Sequence, residues 1–137
     1  MADKARLIRR MHFTASHHYG DADASPEENR ARFGDQAKPH RHRWTVEVQV
    51  VGPVDPNTGW LTDLRALDEA IEEATSGWDD GDLNIAVAAV AQGEMQPSTE
   101  NLARWLYGQL APRVADPAHL DRVRVFESHT LGSQFPA

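Results

Sequence analysis

Near the N-terminus, apolar side chains recur at every second position. Leu7, Met11, Phe13 and Ala15 share one parity, interrupted once by Arg9. This period predicts a strand with one buried face. His17 continues the parity, which points an imidazole to the apolar side at the strand's end. Val46, Val48 and Val50 predict a second strand over about 42–51, followed by the turn-rich Gly52-Pro53 and Asp55-Pro56-Asn57-Thr58-Gly59. Val123 and Val125 predict a third over about 121–126, and Glu127 keeps their parity. Elsewhere the period is helical. Ser25-Pro26-Glu27-Glu28 combines an N-cap serine, a proline at the first helical position and a glutamate at the third. It predicts a short surface helix ending near Phe33-Gly34. Leu64, Leu67 and Ile71 predict a helix over about 63–75, with Asp68, Glu69, Glu72 and Glu73 facing mostly away. Leu102, Trp105, Leu106 and Leu110 predict another, opened by Pro97-Ser98 and followed by Pro112. The run Ile85–Ala91 leaves room for a further strand.

The order strand, short helix, strand, helix, helix, strand predicts an α+β fold. Its sheet would be mostly antiparallel, the two long strands pairing, with helices on one face. Only one strand–helix–strand unit is visible, so α/β is the weaker reading. A length of 137 residues suits one domain over 1–137, with about 25–34 as a helical insertion. With 40% hydrophobic residues the chain can build a core. A net charge of −7 argues against general nucleic-acid or anionic-membrane binding, which needs a basic face. There is no cysteine, which removes disulfides, thiolate metal sites and a cysteine nucleophile. Met1–Arg10 has no apolar signal-like run, and Ile85–Ala91 is too short to span a bilayer. The expectation is a cytoplasmic protein.

The stretch KPHRHRW, at 38–44, sets two imidazoles at the mouth of the second strand. Residues i and i+2 of a strand share a face, roughly 6.5–7 Å apart, so His40 and His42 can converge on one ion. They can equally be solvated loop histidines beside Lys38, Arg41 and Arg43. A third ligand would be His17, if the two long strands pair. His18 has the opposite parity and His12 lies mid-strand on the other face. Three protein ligands with a fourth position open is the catalytic zinc pattern. Glu127, on the inward parity, needs a partner if it is buried; a two-donor ligand edge would serve.

Six segments resemble, in order, those of 6-pyruvoyltetrahydropterin and 6-carboxytetrahydropterin synthases. They are FTASHHY (13–19), HRHRW (40–44), GWLTDLRAL (59–67), WDDGDLN (78–84), PSTENLARWL (97–106) and VRVFES (123–128). The resemblance runs from about residue 7 to 128. It implies the tunnelling fold, a four-stranded antiparallel sheet with helices on one side, oligomerising into a barrel as a hexamer or tetramer. It implies zinc on His17, His40 and His42, the three that strand parity brings together. It implies a lyase acting on 7,8-dihydroneopterin triphosphate or a related pterin, the alternatives being a zinc enzyme of the same fold with a different substrate in a specialised biosynthetic pathway and a non-catalytic ligand-binding member. Glu127 would grip the guanidine-like edge of the ring, and Gln36, Thr99 and Glu100 would belong to the substrate site.

The chain departs from that family's pattern at two places. Gln36 stands where the family's proton-accepting cysteine falls, and an amide cannot accept a proton at neutral pH. Asp35 is the neighbouring group that can. The family's Asp-His pair reads Asp79-Asp80, which would be either an acid/base pair or an acidic turn. His129, two residues past Glu127 and on its parity, is a further candidate for the missing imidazole.

Overall fold

The computed structural model describes residues 3–137. Its spine is two long antiparallel strands, β1 (Lys4–His17) and β2 (His40–Pro53). The alternation extends to the ends of both, so each outruns the span that the apolar positions alone predict. Their register sets His17 opposite His40 and Ala15 opposite His42. Between them lie α1 (Pro26–Phe33) and a 3₁₀ turn over Gly34–Ala37. The Ser25 side chain accepts from the Glu28 N–H, the expected cap, and Gly34 closes the helix at φ 63°.

After β2 come α2 (Leu64–Ala74), capped by Asp63, and the two-residue β3 (Gly81–Asp82). Two single turns follow, α3 (Leu83–Ala86) and α4 (Ala88–Ala91), where the sequence left room for a strand. Ile85 is exposed there while Leu83, Val87 and Val90 are buried, a spacing of four and three that suits helical turns. Helix α5 (Thr99–Leu110), capped by Ser98, precedes β4 (His119–Phe126) and β5 (Gly132–Phe135).

The sheet has five strands in the order β3-β1-β2-β4-β5. Four strands were expected. The fifth, β5, hairpins off β4 without an apolar alternation to announce it. The sheet is mixed, because β3 lies parallel to the end of β1. Helices cover one face. Phe13, Trp44, Val46, Val48, Val50, Val123 and Val125 from the sheet bury against Leu67, Leu102, Leu106 and Leu110. This packing removes most of the chain's large apolar side chains from water, the main drive for the fold.

The opposite face carries no helix and is built from charge. Glu47 is 3% exposed there, held by Arg10 at 2.7 Å, Gln49 at 2.5 Å and Arg124 at 3.2 Å. Burial pushes its carboxyl up, but these hydrogen bonds outweigh that and hold it below the usual range. Arg6 and Arg122 both pair with Asp121. No helix among the described residues is long and apolar enough to cross a membrane.

Candidate metal centre

The histidines meet where β1 ends and β2 begins. Pairing sets His17 beside His40, and the pleat sends both side chains, with that of His42, to the helix-covered side. The ring centroids lie 4.5 Å (His17–His40), 5.2 Å (His17–His42) and 5.0 Å (His40–His42) apart. Trp44 closes the inner wall, its ring 4.8 Å from His17 and its indole N–H fixed on the Ala15 carbonyl.

Two of the rings are oriented from behind. Nδ1 of His17 sits 2.8 Å from the Pro97 carbonyl, and Nδ1 of His40 sits 2.7 Å from the Lys38 carbonyl. A carbonyl only accepts, so each Nδ1 carries the proton and each Nε2 presents a lone pair. This is the arrangement that carbonyl partners impose on metal-ligating histidines. Burial lowers the His17 pKa to about 4, against the pull of the Pro97 carbonyl. His42 is lowered as well, by burial first, with Glu127 opposing. Both rings are therefore neutral at pH 7, the form that binds a metal.

Strand β4 delivers the fourth group. Glu127 follows Phe126, and its N–H donates to the Leu131 carbonyl across the turn into β5. Oε2 lies 3.0 Å from Nε2 of His42 and 3.3 Å from Nε2 of His17. One ligand atom from each of His17, His40, His42 and Glu127 lies within 4.8 Å of the others. Nε2 of His17 and of His42 are buried and make no hydrogen bond. Buried nitrogens with no partner are costly unless something binds them, and a cation would. The group could hold a metal ion.

Tyr19 was not anticipated, although it keeps the parity of His17. Its ring is 5.4 Å from that of His17 and stacks on Phe33 at 5.8 Å. Burial, then Glu127 and Glu100, raise its phenol to about 12, so it stays a hydrogen-bond donor. Thr99 and Glu100 are tied to β5: the Thr99 hydroxyl lies 2.8 Å from Glu100 Oε1 and 2.7 Å from Ser133 Oγ. The Thr99 hydroxyl leads the bonds that lower the Glu100 carboxyl.

The remaining sequence candidates stand apart from this cluster within one chain. Asp80, at φ 58°, pairs with Arg41 at 2.8 Å. Arg41 points to the sheet face opposite His40 and His42. The Asp79 carboxylate accepts from the Thr14 N–H at 3.2 Å, on the outer edge of β1. Asp35 and Gln36 are exposed in the 3₁₀ turn, where the Gln36 carbonyl accepts from Tyr19 N–H. His129 is exposed in the β4–β5 turn. Of the tryptophans, Trp44 and Trp78 are core and Trp60 is 65% exposed, remote from the histidines.

An antiparallel-rich sheet with helices on one face and a histidine–carboxylate group at one end of its central strands defines a candidate metalloprotein of the α+β class. The family model for 6-pyruvoyl tetrahydropterin synthase matches residues 6–136, and the chain belongs to that family. It is 34% identical over 128 residues to human 6-pyruvoyl tetrahydrobiopterin synthase, covering 91% of this chain and 86% of that one. It is 23% identical over 129 residues to the dihydroneopterin monophosphate aldolase of Pyrococcus furiosus, covering 94% and 95%. The solved structure of Caenorhabditis elegans 6-pyruvoyl tetrahydropterin synthase superposes with a TM-score of 0.84 at 23% identity, covering 98% and 96%.

Proposed function

We propose that this protein is a zinc-dependent lyase acting on 7,8-dihydroneopterin triphosphate or a closely related pterin. The observation that carries the reading is the convergence of His17, His40, His42 and Glu127 on one point, in a chain of this family. The three histidines would hold the ion, with imidazole suited to zinc. When bound, zinc supplies Lewis acidity toward an oxygen of the substrate's side chain.

The protein's own groups do the rest. Glu127 would release the histidine nitrogens and accept two hydrogen bonds from the guanidine-like edge of the ring. Thr99 and Glu100, held by Ser133, flank that position, and Tyr19 offers a phenol O–H. Gln36 in place of a cysteine cannot take a proton, so the base must come from elsewhere. The candidates Asp35, Asp79, Asp80 and His129 are all exposed and apart from the cluster, and would act only through a rearrangement or on the site of another copy. The reading includes a homo-oligomer, hexamer or tetramer, in the cytoplasm.

A second reading is favoured by the missing cysteine and by the aldolase from Pyrococcus: cleavage of a carbon–carbon bond in the side chain rather than elimination of triphosphate. One experiment tests both. Zinc-loaded protein is incubated with 7,8-dihydroneopterin triphosphate and the products are read by mass spectrometry. A 6-pyruvoyl or 6-carboxy product supports the first reading and a 6-hydroxymethyl product the second. Intact substrate, with zinc verified in place, would overturn both.

A further inference from the structure

Glu47 and Glu127 are both largely withdrawn from solvent, and they are served differently. Glu47 has Arg10 and Arg124. The Glu127 side chain is 12% exposed and has no arginine or lysine within ion-pair distance among the described residues; it faces only His17 and His42. A buried anion without a cation is costly.

The distances say what kind of cation would suit it. Four ligands about 2.0–2.1 Å from a tetrahedral ion lie about 3.3–3.4 Å from one another. Oε2 of Glu127 lies 3.3 Å from Nε2 of His17 and 3.0 Å from Nε2 of His42, close to that spacing. Neither approach is a hydrogen bond, since both nitrogens are buried without one. A short approach that lacks hydrogen-bond geometry fits two donors aimed at a shared third point rather than at each other. His40 supplies the remaining atom of the group.

The four donors are not held alike. His17 and His40 face each other across paired strands, each ring fixed from behind by a carbonyl. His42 packs on Trp44, with ring centroids 5.7 Å apart. Even the loop that leaves His17 is clamped by three amides from separate segments. The Asn84 amide pairs with both backbone groups of His18, at 2.9 and 3.0 Å. The Gln96 amide pairs with both groups of Gly20, at 3.2 and 2.8 Å, and the Asn29 amide with both groups of Asp21, at 3.0 and 3.2 Å. The Tyr19 N–H donates to the Gln36 carbonyl at 2.9 Å. Glu127 lies past the last residue of β4, and it is tied by its backbone N–H, to the Leu131 carbonyl at 3.1 Å. Its long side chain is the movable member of the group.

We propose that Glu127 is a fourth, exchangeable ligand of the metal, which closes the site at rest and gives way when the guanidine-like edge of a ligand takes its carboxylate. The three histidines are the fixed ligands. Two N–H donors on one edge engage both carboxylate oxygens, and Oε2 cannot serve them while it faces the histidine centre. Binding of the ring therefore frees the fourth position, and without the ring that position stays closed to water and other small molecules. The identity of the displacing ligand as a pterin rests on the function proposed above; the coordination rests on the geometry of Glu127.

The test uses the full-length protein loaded with cobalt(II), whose visible bands report its coordination. The probes are imidazole, a neutral single-point ligand, and pterin lacking a side chain. A position closed for about nine-tenths of the time or more weakens an external ligand by about tenfold or more. Glu127→Gln and Glu127→Ala should therefore keep stoichiometric cobalt, change its resting bands and bind imidazole at least about tenfold more tightly than the wild type. Imidazole is uncharged, so loss of the Glu127 charge alone does not produce this gain. Side-chain-free pterin should change the wild-type bands, with no such change in either variant. Bands and imidazole affinity that are equal in the wild type and both variants would overturn the coordination, even where dihydroneopterin binds and the pterin reading stands. Variants that behave as expected, beside wild-type bands that ignore pterin although calorimetry shows it bound, would overturn the exchange. The same spectra with no pterin bound would keep Glu127 as a ligand and overturn the pterin reading, and with it the displacing edge.

Discussion

Oε2 of Glu127 stands 3.0 Å from Nε2 of His42, brought there by β4 and β2 from opposite halves of the sequence. The imidazole is held neutral, so the carboxylate faces no positive charge at that point. A cation would complete the arrangement, either a metal ion or the guanidine-like edge of a ligand. Glu127→Gln keeps the shape and removes the charge. Binding of a pterin-like ligand should weaken by about 2–5 kcal/mol if the charged pair is desolvated. Titration calorimetry with dihydroneopterin reads this directly, and an unaltered affinity would remove Glu127 from the substrate site.

Metal content should depend on His17, His40 and His42 alone among the histidines. His42→Ala is expected to lose stoichiometric metal, because His17 and His40 alone fall short of the three protein ligands of a catalytic zinc site. His129→Ala should retain it, since that side chain is exposed in the β4–β5 turn. Elemental analysis after gel filtration separates the two. Stoichiometric metal in His42→Ala would cancel the ligand assignment.

The buried His17 makes the metal-free protein sensitive to mild acid. Its pKa falls from 6.5 to about 4 on folding, so between those values the unfolded chain binds a proton that the folded chain refuses. Stability is therefore full above about pH 6.5 and falls as pH drops toward 4. At about pH 5 this one group should cost roughly 2 kcal/mol. Urea unfolding of metal-free protein at about pH 7.5 and pH 5 measures it, and His17→Gln should flatten the dependence.

Glu47 should behave like a core residue although no helix covers it. It is 3% exposed and satisfies Arg10, Gln49 and Arg124 together. Glu47→Ala leaves the buried Gln49 amide without this acceptor, removes the anion that holds Arg10 and Arg124, and should destabilise the fold by about 2 kcal/mol. The midpoint of chemical unfolding should shift while metal content stays constant.

Much of this architecture was legible in the alternation of side chains. Parity placed His17 on the inner face, and the pairing of β1 with β2 set it opposite His40. The Ser25 cap, the α5 stripe and the inward aim of Glu127 were likewise written in local pattern. What escaped was non-local or too short to be periodic. Strand β3 has two residues and β5 has four, fewer than alternation needs to declare itself. The burial of Glu47 depends on arginines from two neighbouring strands. Tyr19 keeps the parity of His17 but lies beyond the end of β1, where alternation no longer fixes a side chain's direction. Asp79 and Asp80 stand where the family's Asp-His pair falls, yet β3 pairing carries them to the outer edge of β1.

The clamped loop after β1 has a consequence of its own. His18, Tyr19, Gly20 and Asp21 are four successive residues outside any helix or strand, and each of their amide protons is engaged. In deuterated water such a stretch exchanges only when its clamps open. It should keep its protons as a sheet does, while the exposed residues Ala22 and Ser25 of the neighbouring turn give theirs up. Order at this margin of the sheet is thus conferred by Asn29, Asn84 and Gln96, and truncating any one of them should show first as a local gain in exchange rather than as a loss of fold.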